Sequence, residues 1–520
     1  MPLKPILILI ISIVSLNISA QRSDVWENFA AAKIFGEEAI LPDFSYAGYK
    51  YSEVPVPVVN YKVFDVTKFG AVPDDDQSDK EAIQKTIDAV SKNKEGVVFF
   101  PAGKYMINTK NDDGSILRIN SSKIVLRGEK GTTLFFDKDL PPADPKKMWT
   151  CPYAIKVSSL EKDEYLTAIT GITQRETFEI TVADASKISK GDWIIIQVRN
   201  NDKDLVKYDL APLQPEPEWK SILDDGVQVN ERHQVAKVKG NTITLASPIH
   251  YDINAADGWE VFRFAHLTHV GFENINFEGN WTKEFVHHRS AQDDGGWSIL
   301  TVVNCVNSWV KDCSFKNVNN PLSFDASASC TALNILVEGK VGHASVHAAG
   351  GSTGILIANV NDTAGMHHAV GVAGGSTTGT VIWRSAYPPH TSFESHASQP
   401  RCTLFDRVEG GFFAGRGGGA RFNLPNHGRY LVLWNYKETD EAEKEFRFVA
   451  TETWWWKIVP PIIVGFHGSG TTFKMDEVQL VESLGEPVKP ESLFEAQLSL
   501  RLGKLPAWIE DVKKSSIIKN

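Results

Sequence analysis

Between residues 63 and 107 the spacing of apolar positions changes period twice. Residues 63–69 alternate apolar and polar side chains, as a strand does, and the run stops at Gly70. An acidic loop, Asp74-Asp75-Asp76, follows. Ser78, with Glu81 three residues on, makes a capping box, and Ala82, Ile83, Ile87 and Val90 fall on one helical face. After Gly96 a second apolar run, 97–100, predicts another strand and ends in Pro101-Ala102-Gly103, a turn.

Further on, short apolar strands recur at near-regular distances. Residues 334–337, 354–357, 380–383 and 402–405 are alike, and the steps from Leu336 to Leu356, Ile382 and Leu404 read as one coil each. Gly350-Gly351-Ser352-Thr353 returns as Gly374-Gly375-Ser376-Thr377. A repeat of this size cannot bury its inner face alone, so neighbouring coils must stack. From 136 to 258 the period fails. Strands at 177–182, 192–197, 235–238 and 242–245, the last two joined by Gly240-Asn241, predict an inserted antiparallel β subdomain. A helix is expected over 490–502, with Pro490 at its start and Gly503 at its end, capping the open end of the stack.

The stretch built on Asp65 to Ala71, Ala82-Ile83-Gln84 and Val97 to Tyr105 resembles the N-terminal cap of pectate-lyase-like, right-handed parallel β-helix proteins. The resemblance implies a solenoid fold but not one chemistry, because that superfamily hosts lyases, hydrolases and phage tailspikes. Residues 287–434, with the ending from Glu482 to Trp508, resemble exported bacterial β-helix proteins whose C-terminal segment has no assigned function. The expected organisation is an export signal over 1–20, an N-terminal arm over 21–62 and the cap with first coils over 63–135. The insertion over 136–258, central coils over 259–440 and C-terminal coils with a cap over 441–520 follow. The signal rests on Lys4 before an apolar run ending at Ile18-Ser19-Ala20. No later segment reads as a membrane span, so a periplasmic or extracellular protein is expected.

Composition narrows the partners. Charged residues are 23% and hydrophobic ones 42%, ordinary for a globular chain. The net charge of −10 argues against a basic face for nucleic acid. Five cysteines lack paired zinc-type spacing, and Cys305, Cys313, Cys330 and Cys402 read as small buried hydrophobes.

Against that acidic average, imidazole and guanidinium groups gather between 343 and 429. His343, His347, His367, His368, His390, His396 and His427 lie there, with Arg401, Arg416 and Arg421. The glycine-rich turns place His343 under His367, and His347 under Gly371 and then under His396. Residues one coil apart stack about 4.8 Å apart, so polar columns on one face are expected. A second cluster, His288, Asp293, Asp294 and Trp297, sits in a loop between coils. Three consecutive tryptophans, Trp454 to Trp456, could stack on sugar rings or pack under the C-terminal cap.

Hydrolases of the polygalacturonase type carry N-T-D, D-D, G-H-G and R-I-K motifs, of which only Asp293-Asp294 is present, so those roles do not transfer. The coils offer histidine where pectate-lyase calcium sites need carboxylates. A divalent cation is therefore compatible but not indicated, and no cofactor is assigned. The reading that follows is an exported enzyme cleaving an acidic polysaccharide, uronic or sulfated, by β-elimination. His396 would be the base, Arg401 would neutralise the carboxylate, His343 or His347 would donate the proton, and Glu394 would orient His396. His288, Asp293, Asp294, Trp297, His367, His368, His390, Arg416, Arg421 and His427 would bind substrate. A glycoside hydrolase using Asp293 or Asp294 with Glu394 stays open, as does a non-catalytic carbohydrate-binding scaffold.

Overall fold

The computed structural model describes residues 21–412, 418–449 and 456–518. The expected export signal at 1–20, Arg416, Trp454 and Trp455 lie outside the described residues. The chain winds into a parallel β-helix. One sheet runs from Val63–Asp65 through Gly96–Phe100, Ile124–Gly128 and Gly271–Glu273 to Leu431–Trp434, Ile462–Val464 and Leu480–Glu482, every neighbour parallel. Its inward positions form one column, in which Val98, Leu126, Phe272, Val310, Ala332, Ile357, Ile382, Phe405, Leu433 and Ile463 are all buried. Stacking of such side chains supplies the core that no single coil has.

The coil register differs from the one the sequence suggests. Leu356 pairs with Thr331 rather than Leu336, and Leu404 pairs with Val381 rather than Ile382. The cause is a bend the apolar pattern hides. Asn334 and Asn359 adopt left-handed φ of 56° and 52° in the middle of their strands. Asparagine tolerates that region, and the two stack as a ladder, Asn359 Nδ2 donating to Asn334 Oδ1 at 2.8 Å and Asn334 Nδ2 to Asp312 Oδ1 at 2.7 Å.

A second parallel sheet carries the residues of interest. Its strands are β1 (Leu117–Ile119), β2 (Ile155–Val157), β3 (Ser298–Val303), β4 (Asn320–Asp325), β5 (His347–Ala349), β6 (Gly371–Ala373) and β7 (Glu394–His396). Helix α1 (Lys80–Asn93) buries Ala82, Ile83, Ile87 and Val90 against the first coils. Ser78 does not cap it. Its hydroxyl bonds Asp112, and the buried Asp79 accepts from Val72 and Met106 backbone amides instead.

Helix α2 (Leu493–Leu502) is capped by Ser492, which accepts from the Glu495 amide at 3.1 Å. It lies on the outer face of the long sheet rather than over the open end of the stack. Leu493, Phe494 and Leu498 pack on Val381, Trp383, Leu404, Val432 and Trp434. Those strands are apolar on both faces, which demands a cover on the outer one. The five cysteines are free, four of them buried.

Residues 164–263 hold a six-stranded antiparallel sheet, from Glu179–Thr181 at one edge to Glu164–Ala168 at the other, with its own core. A buried pair ties it to the N-terminal arm: His250 Nδ1 lies 2.8 Å from Glu176 Oε1, and Glu176 Oε2 accepts from the Asp43 amide at 2.9 Å. Burial alone would neutralise both groups, but their attraction wins. The Glu176 carboxyl lies below its ordinary 4.5 and the His250 ring above its ordinary 6.5. The glutamate's contribution is present above 4.5 and is lost as pH falls through its folded value. The histidine's is full below 6.5 and is lost as pH rises through its folded value. The melting temperature lost in Glu176→Gln is therefore expected to be greatest between about pH 4.5 and 6.5 and to shrink on either side. A loss that does not vary with pH, followed by thermal melts across that range, would refute the coupling.

Candidate active site

The outward face of β3 to β7 is where the histidines converge. A cleft of about 220 Å³ opens there, and Asp294, His343, His347, His368, Glu394 and His396 line it together with Trp149, Tyr153, Ser298 and Asn320. The strand pleat explains the arrangement. Inward residues such as Val346, Val370 and Phe393 fill the core, and Val372 is buried beside them, so their neighbours His347, Gly371, Glu394 and His396 point outward.

Pairing within the sheet refines the expected columns. Ala344 bridges His368, the register that places His343 one coil below His367. His347 pairs with Gly371, but Gly371 pairs with Glu394, and His396 pairs with Ala373. The coil from 371 to 394 advances 23 residues (394 less 371) rather than the 25 needed to reach His396. A two-residue slip in a strand preserves the face, so His396 still reaches the cleft while Glu394 takes the rung above Gly371. Gly371 is obligatory, because a Cβ there would lie 2.1 Å from the Glu394 carbonyl oxygen. Gly371 and Ala373 leave a floor almost free of side chains between His347 on one side and Glu394 with His396 on the other. Those two sides are two rungs apart, roughly 10 Å.

Each ring has a definable state. His343 Nδ1 lies 3.0 Å from the Asp294 carbonyl oxygen, and His347 Nδ1 lies 3.2 Å from the Ser345 carbonyl oxygen. A carbonyl only accepts, so Nδ1–H is the donor in both and Nε2 carries the lone pair. Burial, reinforced by neighbouring rings, lowers His343 to about 3 and His396 to about 4. Burial also lowers His347, and holds His368 well below its ordinary value. Neutral imidazoles with Nε2 lone pairs accept hydrogen bonds and carry no extra proton to give, which disfavours the donor role expected of His343 or His347. Glu394 runs the other way. It is 4% exposed, and burial pushes its carboxyl up to about 8. Its Oε1 faces His368 Nδ1 at 3.7 Å rather than serving as a hydrogen-bonded support for His396. Gly418 closes over the pair: a Cβ there would lie 2.1 Å from His396 Cδ2 and 2.7 Å from Glu394 Oε1.

The loop between coils joins the same cleft. His287 stacks on His367 with ring centroids 4.2 Å apart, and lies 5.3 Å from both His343 and His368. Asp294 accepts from His288 Nδ1 at 2.7 Å and from its backbone amide at 3.0 Å, which holds the loop down. Burial opposes ionisation of Asp293, but hydrogen bonds from Arg289 and Ser290 outweigh it and keep the carboxyl below its ordinary value. Those bonds make Asp293 a loop fastener rather than a cleft residue.

Several expected ligand-binding residues do other work. Arg401 is 1% exposed, pairs with Asp209 at 2.8 Å and lies over the Tyr251 ring, locked between the β-helix and the inserted sheet. It cannot neutralise a substrate carboxylate in the cleft. His427 is fully buried between the Gly428 carbonyl and the Thr403 hydroxyl. Arg421 pairs with Glu216 and Glu218. Trp297 is buried with its indole N–H on the Phe136 carbonyl. His390 is exposed, on the turn beside Gly365. Trp456, the described member of the tryptophan run, packs in the core against Phe393 and Phe446. Sequence reasoning left out Trp149, Tyr153, Asn320 and Ser298. Trp149 is 73% exposed at the cleft, and it falls in the stretch where the repeat pattern breaks.

Two segments of the chain match family models. Residues 63–135 match the family model for rhamnogalacturonase A/epimerase, pectate-lyase-like proteins, and residues 365–512 match a domain of unknown function, DUF4955. The molecule is a parallel β-helix protein, and over residues 63–135 it is similar to pectate-lyase-like proteins. No curated protein matches the chain. Among solved structures it is similar to the tailspike protein gp49 from Pseudomonas phage LKA1, at 14% identity and a TM-score of 0.45, covering 82% of this chain and 74% of that one. It is similar to PfbA, a surface adhesin of Streptococcus pneumoniae, at 10% identity and a TM-score of 0.42, covering 79% and 80%. It is also similar to polygalacturonase from Erwinia carotovora ssp. carotovora, at 9% identity and a TM-score of 0.40, covering 84% and 98%. No described helix is long and apolar enough to cross a membrane.

Proposed function

We propose that the protein is an exported, carbohydrate-active enzyme that cleaves an acidic polysaccharide by β-elimination, with the histidine-lined cleft as its active site. The observation that carries the reading is the floor at Gly371 and Ala373, flanked by His347 on one side and by Glu394 and His396 on the other. A pyranose ring fits between groups roughly 10 Å apart, and the exposed face of Trp149 offers a stacking surface at the cleft.

Elimination needs a base for the proton on C5 of a uronate and an acid for the glycosidic oxygen on C4. His396, as neutral imidazole, takes the C5 proton. The electron pair left behind forms the C4–C5 double bond as the C4–O bond breaks. Glu394, as the carboxylic acid, gives its proton to the departing oxygen. His343 and His347 accept hydrogen bonds from sugar hydroxyls through Nε2.

A second reading has one observation in its favour: Asp294 and Glu394 line the same cleft, as the two carboxyls of a glycoside hydrolase would. A panel of uronate-containing and sulfated polysaccharides separates them. The expected result is an ultraviolet-absorbing unsaturated uronate formed in step with new reducing ends on a uronate polymer. New reducing ends without that chromophore would overturn elimination in favour of hydrolysis. No cleavage of any member would favour a binding scaffold.

A further inference from the structure

Elimination at a uronate requires positive charge beside the carboxylate, and Arg401 is locked elsewhere. Among the described residues lining the cleft there is no lysine or arginine. The described histidines beside it offer another source of charge. His287, His367 and His368 each place one ring nitrogen so that all lie within 4.8 Å of one another. Zinc–imidazole bonds are about 2.0–2.1 Å, so ring movements of about an ångström bring the three nitrogens onto one ion.

Three further features fit such an ion. His368 is 3% exposed, yet its Nδ1 has no hydrogen-bond partner, which is costly for a polar atom taken out of water. Glu394, the neutral acid of the elimination reading, lies 3.7 Å from the same Nδ1, too far for a hydrogen bond, and so leaves that nitrogen to an ion. Phe285 closes the outer side, with its ring 6.3 Å from His287 and 5.4 Å from His367.

We propose that His287, His367 and His368 form a three-histidine site for a late first-row divalent ion of the zinc type, open on the cleft side. Three imidazoles select zinc, cobalt, nickel or copper over calcium, which takes oxygen ligands. A three-histidine set leaves a coordination position for an outside oxygen. Resting on the elimination reading, that oxygen belongs to the substrate carboxylate, and the ion supplies the charge that the cleft's side chains lack.

The test uses the untagged full chain, stripped with chelator, without substrate. Titration with cobalt(II) is expected to give visible ligand-field bands that saturate at one equivalent, to be bleached by zinc and to persist in excess calcium. His287→Ala, in the loop, and His367→Ala, on a turn, are each expected to weaken cobalt binding by at least about 100-fold while circular dichroism stays that of the parent. His390→Ala, an exposed histidine outside the trio, is expected to bind as the parent does. Absence of a saturable one-equivalent spectrum would overturn the site, as would full binding in both loop and turn variants. Because the readout is the metal spectrum, a failed titration leaves the elimination chemistry to be judged by its products alone.

Discussion

Glu394→Gln is expected to lower kcat on the cleaved polysaccharide by about 100- to 10,000-fold, the range that a general acid contributes. Glutamine keeps the shape of the side chain and a donor N–H, but has no proton to transfer. KM should change little, because the hydrogen bonds made to bound substrate survive. The fold should not suffer, since the change removes an ionisable group from a site where 96% of the residue surface is covered. His396→Ala removes the base from the same step. Groups that act in one step are non-additive, so the double variant should be no more than a few-fold slower than the slower single. A Glu394→Gln enzyme that keeps more than about a tenth of the parent kcat would show that the acid lies elsewhere. A coupled product assay with parallel thermal melts measures both points.

Phe393→Ala is expected to be the most damaging single change to stability. Phe393 is fully buried, one residue before Glu394, and its ring lies 4.5 Å from Phe405, 5.8 Å from Phe412 and 6.0 Å from Trp456. Truncating a buried phenylalanine costs about 3–5 kcal/mol, part lost transfer energy and part unfilled cavity. The collapse should be incomplete, because the parallel strands on either side hold the coil spacing. In a stack whose coils touch only their neighbours, the damage should also loosen β7 and so the active-site face. Urea unfolding is the measurement, and a loss below about 1 kcal/mol would mean that the aromatic stack is not what orders this coil.

The sequence disclosed the architecture where side-chain chemistry and local period agree. Ala82, Ile83, Ile87 and Val90 share a helical face and are buried as a group. Register was less legible. The strands at 334–337 and 354–357 look alike, yet pair five residues out of that alignment, because left-handed Asn334 and Asn359 sit inside longer strands. Hydrophobicity does not report a φ angle.

The site shows the same division. The gathering of His343, His347, His367, His368 and His396 follows from repeat spacing alone. The replacement of His396 by Glu394 above Gly371 depends on a coil two residues shorter than expected. Arg401 reads as a ligand-binding cation in sequence. Its partner Asp209 comes from a helix of the insertion, 192 residues away, and no local pattern announces that contact. The same holds for His287, which reaches His367 only after the loop folds back over the coil.

The cleft between His347 and Glu394 is expected to break a glycosidic bond without water. Mass spectrometry of oligosaccharides released in heavy-oxygen water tests it most directly. Elimination predicts fragments one water lighter than hydrolysis products and free of solvent oxygen. One heavy oxygen incorporated at each cleavage would contradict the account and assign Glu394 and Asp294 to hydrolysis.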